Sequence, residues 1–160
     1  MLNATINKTI STATILLSAV LLTACTGTRP ADIGINNDQL TPCPESPNCV
    51  SSFEDKKDET HYIKAYSISE VNQATAWTSL QTIIEQNGSA EIISANDSYI
   101  YAEFTSGIMK FVDDTEFMLD TDNKLIHLRS ASRLGYRDFD VNRDRLEVIR
   151  VELEKKSVIE

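Results

Sequence analysis

A chain of 160 residues with 41% hydrophobic and 24% charged side chains is long enough to bury one self-sufficient core, and its composition excludes a disordered or collagen-like polymer. Its 24 acidic residues outnumber 15 basic ones for a net charge of −9. Such a surface repels phosphates, which argues against nucleic acid as a partner and against a membrane held by a basic patch.

The chain opens on one long apolar stretch. Lys8 supplies a positive flank, and Ile10 to Leu22 is hydrophobic with small polar interruptions, shorter than the roughly 20 residues a membrane-spanning helix needs. It has the form of the apolar region of a secretory signal. Leu22-Thr23-Ala24-Cys25 then sets a small residue before a cysteine, as in the lipobox of bacterial lipoproteins. Residues 1–24 are expected to be removed and Cys25 to carry a diacylglycerol, each buried methylene of which contributes about 0.8 kcal/mol of membrane affinity. Thr26 stands where an Asp would favour retention in the inner membrane, so in a cell with two membranes the outer one is the expected destination. Loss of Lys8 moves the net charge from −9 to −10.

Residues 25–42 are polar, contain Gly, Pro and Asn, and lack periodicity; they are expected to form a lipidated N-terminus and flexible tether before a single domain over 43–160. His61 to Ile68 suggests a strand. Ser69 can cap a helix starting at Glu70, with Val71, Ala74, Trp77, Leu80 and Ile84 on one face and Gly88 at its end. Short β-rich runs follow at Glu91–Ala95, Ser98–Phe104, Ile108–Val112, Thr115–Leu119 and Leu125–Ser130, separated by turn-forming residues. A last helix over about Val141 to Lys155 aligns Leu146, Ile149 and Leu153 and spaces Arg143/Glu147 and Arg150/Glu154 as i,i+4 pairs. The expected fold is α+β: an antiparallel meander with two amphipathic helices on one face, a two-layer sandwich.

Three segments form one pattern: Pro42-Cys43-Pro44-Glu45-Ser46-Pro47-Asn48-Cys49-Val50-Ser51-Ser52, then Phe111-Val112-Asp113-Asp114-Thr115-Glu116-Phe117, then Arg129 to Asp138 running into Val141-Asn142-Arg143. In order and spacing the chain resembles the DUF1499 family, bacterial proteins of unknown function that are often exported or membrane-attached. The resemblance implies a fold and no reaction. Where the family commonly has Gly-Tyr-Ser-Asp-Leu-Gly-Val-Asn-Arg, this chain has Arg137 for the serine and Phe139-Asp140 for the leucine-glycine. The exchange removes a glycine's conformational freedom and offers Asp140 as an alternative helix cap.

Cys43 and Cys49 enclose a short Pro-containing loop. In an oxidising envelope they are expected to form a disulfide contributing about 2 kcal/mol. The rival readings, a redox pair or a metal site with His61 and His127, want tighter spacings. Six of the seven arginines (Arg129, Arg133, Arg137, Arg143, Arg145, Arg150) lie within 22 residues and every lysine lies outside that window, so planar, bidentate geometry is needed there as well as charge.

Two sets of anions can meet those forks. One is internal: Asp113, Asp114 and Glu116, with strand alternation sending Asp114 and Glu116 to one side and Asp113 to the other. Pairs from Arg129 or Arg133 to them would lock the sheet to the final helix. The other is an anionic ligand held by Arg129, Ser130, Ser132, Arg133, Asn142 and Arg143, at a helix start where two arginines oppose the dipole.

Paired Asp114 and Glu116 could also serve a sugar hydrolase. Ser130 or Ser132 with His127 lacks the surroundings of a nucleophile, and Asp120, Asp122 and Asn123 lack the glycine and glutamate of a calcium loop. No metal or cofactor is expected. An apolar space between helix and sheet would suit a lipid-like molecule. The preferred expectation is a non-enzymatic envelope lipoprotein binding a small anionic or lipid-like ligand, or an envelope protein, through the Arg129 to Asn142 region. The alternatives are a purely structural or interaction module with the motifs as an internal lock, and an envelope hydrolase.

Overall fold

A computed structural model describes residues 26–70 and 72–160, so the signal segment, Cys25 and the Val71 position lie outside the described residues. In chain order the elements are β1 (Ile35–Asn36), β2 (Gln39–Leu40), β3 (Cys49–Ser51), β4 (Tyr66–Ser67), α1 (Gln73–Glu85), β5 (Ala90–Ala95), β6 (Tyr99–Thr105), β7 (Val112–Asp120), β8 (Leu125–Ser132) and α2 (Val141–Lys155). Among them no helix is long and apolar enough to cross a membrane.

The main sheet has six strands in the order β3-β8-β7-β6-β5, with β4 also on β8, and all its ladders are antiparallel. Both helices cover one face, so the α+β sandwich expected from the sequence is the observed architecture. Alternation along β6, β7 and β8 sends Ile100, Ala102, Phe104, Phe117, Ile126 and Leu128 into that face. They meet Trp77, Leu80 and Ile84 of α1 and Leu146, Ile149 and Leu153 of α2 in one buried cluster. The space between helix and sheet is filled by these side chains. Within it the buried Tyr66 hydroxyl donates to the Leu146 carbonyl at 2.7 Å.

Several local expectations shift. Helix α1 starts later than Glu70 because Asn72 is its cap: the Asn72 side chain accepts from the Ala74 N–H at 2.8 Å. The run expected at 115–119 is part of one longer strand, β7, which begins at Val112 and includes Asp113 and Asp114; of the run expected at 108–112 only Val112 joins it. Ile108 lies outside it in the preceding loop. Of the strand expected over 61–68, only Tyr66–Ser67 pairs as a strand, with Tyr62 and Ile68 in isolated bridges.

The segment expected as a tether is ordered against the domain. Asn37 and Asp38, both with positive φ, make a two-residue turn between β1 and β2, and Leu40 is buried. The Gly34 N–H donates to Glu116 at 2.8 Å, and Arg29 pairs with Glu103. Polar composition hid this docking because it rests on single contacts rather than on a periodic face. Residues 27–34 thus contribute cover to the sheet face that the helices leave open.

Candidate functional site

The arginine-rich region does not form one site; the sheet separates it into two networks on opposite faces. On the face away from the helices, Arg133 makes a bidentate pair with Asp114, its Nε at 2.9 Å from Oδ2 and its terminal nitrogen at 2.7 Å from Oδ1. The same guanidinium reaches Glu103 and the Tyr101 hydroxyl, and Tyr101 donates to Asp114 at 2.6 Å. Arg29 closes the cluster by pairing with Glu103 while lying over the Tyr101 ring. The hydrogen bonds that Arg133 donates to Asp114 raise its guanidinium further above the ordinary range. Against the cost of burial, the hydrogen bonds from Arg133 and Arg29 hold Glu103 below the usual carboxylate range.

Glu116 lies two residues along the same face and is fully buried. Tyr99 donates to it at 2.7 Å and Gly34 at 2.8 Å, whereas Arg129 reaches it only at 3.3 Å. Burial pushes Glu116 up, and these donors only partly offset the rise. The Arg129 Nε is buried without a hydrogen-bond partner.

On the helix side, Asp113 is met by Arg145 of α2 and by the Ser132 hydroxyl. Arg145, stacked over Phe104, also donates to Ser130 and Asn142 at 3.0 and 2.8 Å. Ser130 donates to Asn142 at 2.6 Å, and Asn142 donates to the Asn48 carbonyl, Ser132 and Asp138. Asp138 accepts from the Asn142 N–H at 2.9 Å and so performs the cap role that Asp140 was expected to offer; Asp140 makes no side-chain cap bond. Arg145, rather than Arg129 or Arg133, is therefore the arginine that ties sheet to final helix. Asp140 and Phe139 keep left-handed backbone, φ 65° and 56°, without the glycine that makes such a turn inexpensive.

The six residues expected around an anion do not converge on one cleft. Ser130, Ser132 and Asn142 share the helix-side network, Arg129 and Arg133 point to the opposite face, and Arg143 leaves both to donate to the carbonyls of Glu59, Thr60 and Tyr62. Arg150 likewise binds the Lys64 and Ala65 carbonyls over the Tyr66 ring. Arg137 is exposed and borders a surface recess with Pro47 and Thr60. Asp114 and Glu116, 1% and 0% exposed, are occupied by donors of their own chain, which leaves neither free to act on a glycoside.

Cys43 and Cys49 form the disulfide, with Cα atoms 5.6 Å apart. One arrangement escaped the sequence because its members are far apart in the chain: the Ser52 hydroxyl lies 3.0 Å from His127 Nδ1, and His127 Nε2 lies 3.7 Å from Asp120. It has the composition of a catalytic triad without its geometry. Ser52 Oγ accepts from the Leu128 N–H, Phe53 stacks on the imidazole at 4.2 Å, and the distance to Asp120 exceeds a hydrogen bond. Burial lowers the His127 pKa. Asp120 instead closes the β7–β8 turn by accepting from Asp122 and Asn123, as a hairpin rather than a calcium loop requires. Among the described residues no group of three His, Cys, Asp or Glu side chains is placed to hold a metal ion.

No curated protein matches the chain. A family model described as a protein of unknown function, DUF1499, matches residues 39–153, which takes in the disulfide loop, both arginine networks apart from Arg29 and Gly34, and most of α2. The chain belongs to the DUF1499 family.

Proposed function

We propose that this protein is a lipid-anchored envelope protein whose domain is a non-catalytic interaction module, with the arginine and acid motifs serving as the internal lock of the fold. The observation that carries this reading is where the forks end. Arg133 ends on Asp114 and Glu103, Arg145 on Asp113, and Arg143 on three backbone carbonyls. A guanidinium engaged bidentately by its own chain has few donors left for a ligand. Replacing Arg133 with Ala tests it: under the lock the variant unfolds at markedly lower temperature, whereas a ligand-binding role leaves stability nearly unchanged and removes binding.

One observation favours a second reading. The buried Arg129 Nε has no partner, and its contact with Glu116 is long. A small anion or polar acceptor reaching Arg129 would satisfy that donor. Native mass spectrometry of protein purified from the envelope, set against an Arg129→Met variant, tests this. A bound mass lost on substitution supports it, and identical masses without adduct sink it.

A further inference from the structure

Exposed large apolar side chains gather at one end of the sheet. The β6–β7 loop carries Ile108 at 93% exposure with Met109 and Phe111, and the β8–α2 loop carries Leu134, Tyr136 at 68% and Phe139 at 87%. The loops are neighbours, because the Arg133 N–H donates to the Val112 carbonyl at 3.1 Å and Asp113 pairs with Ser132 across the ladder. Contiguous apolar exposure of this kind marks a surface that meets something apolar.

The chain itself indicates what. Gly27, in left-handed backbone, packs so closely on this end that a Cβ there would lie 2.9 Å from the Arg133 Cβ and 3.2 Å from the Leu134 Cγ. Cys25 is two residues away, within about 7 Å of extended chain. A diacylglycerol on Cys25 can therefore enter a bilayer only close beside these loops. Their chemistry suits that boundary: Tyr136 and Phe139 are side chains favoured at the membrane interface. Lys110 and Arg137 are exposed between the apolar groups and enter no ion pair among the described residues. Of the acids in these loops, Asp138 turns inward to Asn142 and Asp140 is the one left exposed, beside Phe139. An otherwise acidic protein thus presents an apolar end with two free cations to anionic lipid.

We infer that the 106–111 and 134–139 loops dock on the lipid bilayer beside the anchor, fixing the domain with this end of the sheet against the membrane. The inference rests on the lipoprotein reading. It predicts depth at two loops and none at the β7–β8 turn, which lies about 27 Å away along the nine residues of β7.

The test uses the full-length lipoprotein in vesicles of phosphatidylethanolamine and phosphatidylglycerol with or without brominated acyl chains. Phe139→Trp and Asp122→Trp are compared with the parent protein, whose Trp77 gives the background. The expected result is a blue shift and a bromine-dependent loss of emission for Phe139→Trp, with Asp122→Trp unchanged from the parent. Equal behaviour of the two variants, quenched or not, overturns the inference. Should Phe139→Trp fail to fold by circular dichroism, Ile108→Trp takes its place with the same two outcomes. Mass spectrometry reads the lipid on Cys25 in the same preparation: lipid present without quenching overturns the docking alone, and lipid absent overturns docking and lipoprotein reading together.

Discussion

The two faces of the central sheet are both buried, by opposite chemistry. Against the helices lie Phe104, Phe117, Ile126 and Leu128, whose burial is favourable in almost any close-packed arrangement. Against the N-terminal segment lie Asp114, Glu116, Glu103, Arg129 and Arg133, whose burial is favourable only when each charge finds its partner. The apolar face supplies stability with little demand on geometry, whereas the charged face tolerates few alternative registers of the segment that covers it. The contrast recurs within the charged face itself: Arg133 is met bidentately, while Arg129 keeps a long contact and an orphaned Nε.

Substitutions can break that contrast. The largest effect is expected on the apolar side, where Phe117→Ala should cost about 3–5 kcal/mol in denaturant unfolding. On the covering segment, Leu40→Ala should cost about 2–4 kcal/mol if residues 26–42 are part of the fold, and nothing if they hang free as a tether. Proton linkage sharpens the comparison further. Glu103 is held below its ordinary range, so its contribution is present above the unfolded pKa and is lost as pH falls through the depressed folded value. Urea midpoints measured from about pH 7 down to pH 3 should therefore converge for the parent and Glu103→Gln, while Phe117→Ala keeps its deficit throughout. The smallest effect is a gain: Asp140→Gly relieves a left-handed residue and loses no cap bond, and should raise stability by about 0.5–1 kcal/mol in thermal unfolding.

The helix-covered face was legible in the sequence because its signals are local. Helix α2 falls where Leu146, Ile149 and Leu153 recur, and β6 and β8 fall on the β-rich runs 98–104 and 125–130, whereas the acids of β7 interrupt its apolar pattern. The charged face was legible only in composition: the arginine cluster and the acids stood out, and alternation separated Asp113 from Asp114 and Glu116. Which arginine meets which acid is a tertiary fact. Asp113 takes Arg145 from 32 residues away, Asp114 takes Arg133 from 19, and Glu116 takes Gly34 from 82. The docking of residues 26–42 was illegible for the same reason, resting on Gly34, Leu40 and Arg29 one at a time, as was the approach of Ser52 to His127. The cap at Asp138 was missed because Asp140 stands nearer the helix start, and the choice between them is made by Asn142, whose N–H and amide both donate to Asp138.

The central claim is that the arginine motif holds the fold together, and unfolding of Arg133→Met and Asp114→Leu, alone and combined, tests it most directly. If the claim holds, Arg133→Met strands the buried Asp114 carboxylate and costs about 3 kcal/mol, Asp114→Leu costs less because Arg133 keeps Glu103, and the double variant is less damaged than the two losses summed. Single variants as stable as the parent, or losses that simply add, would contradict it and return Arg133 to the search for a ligand.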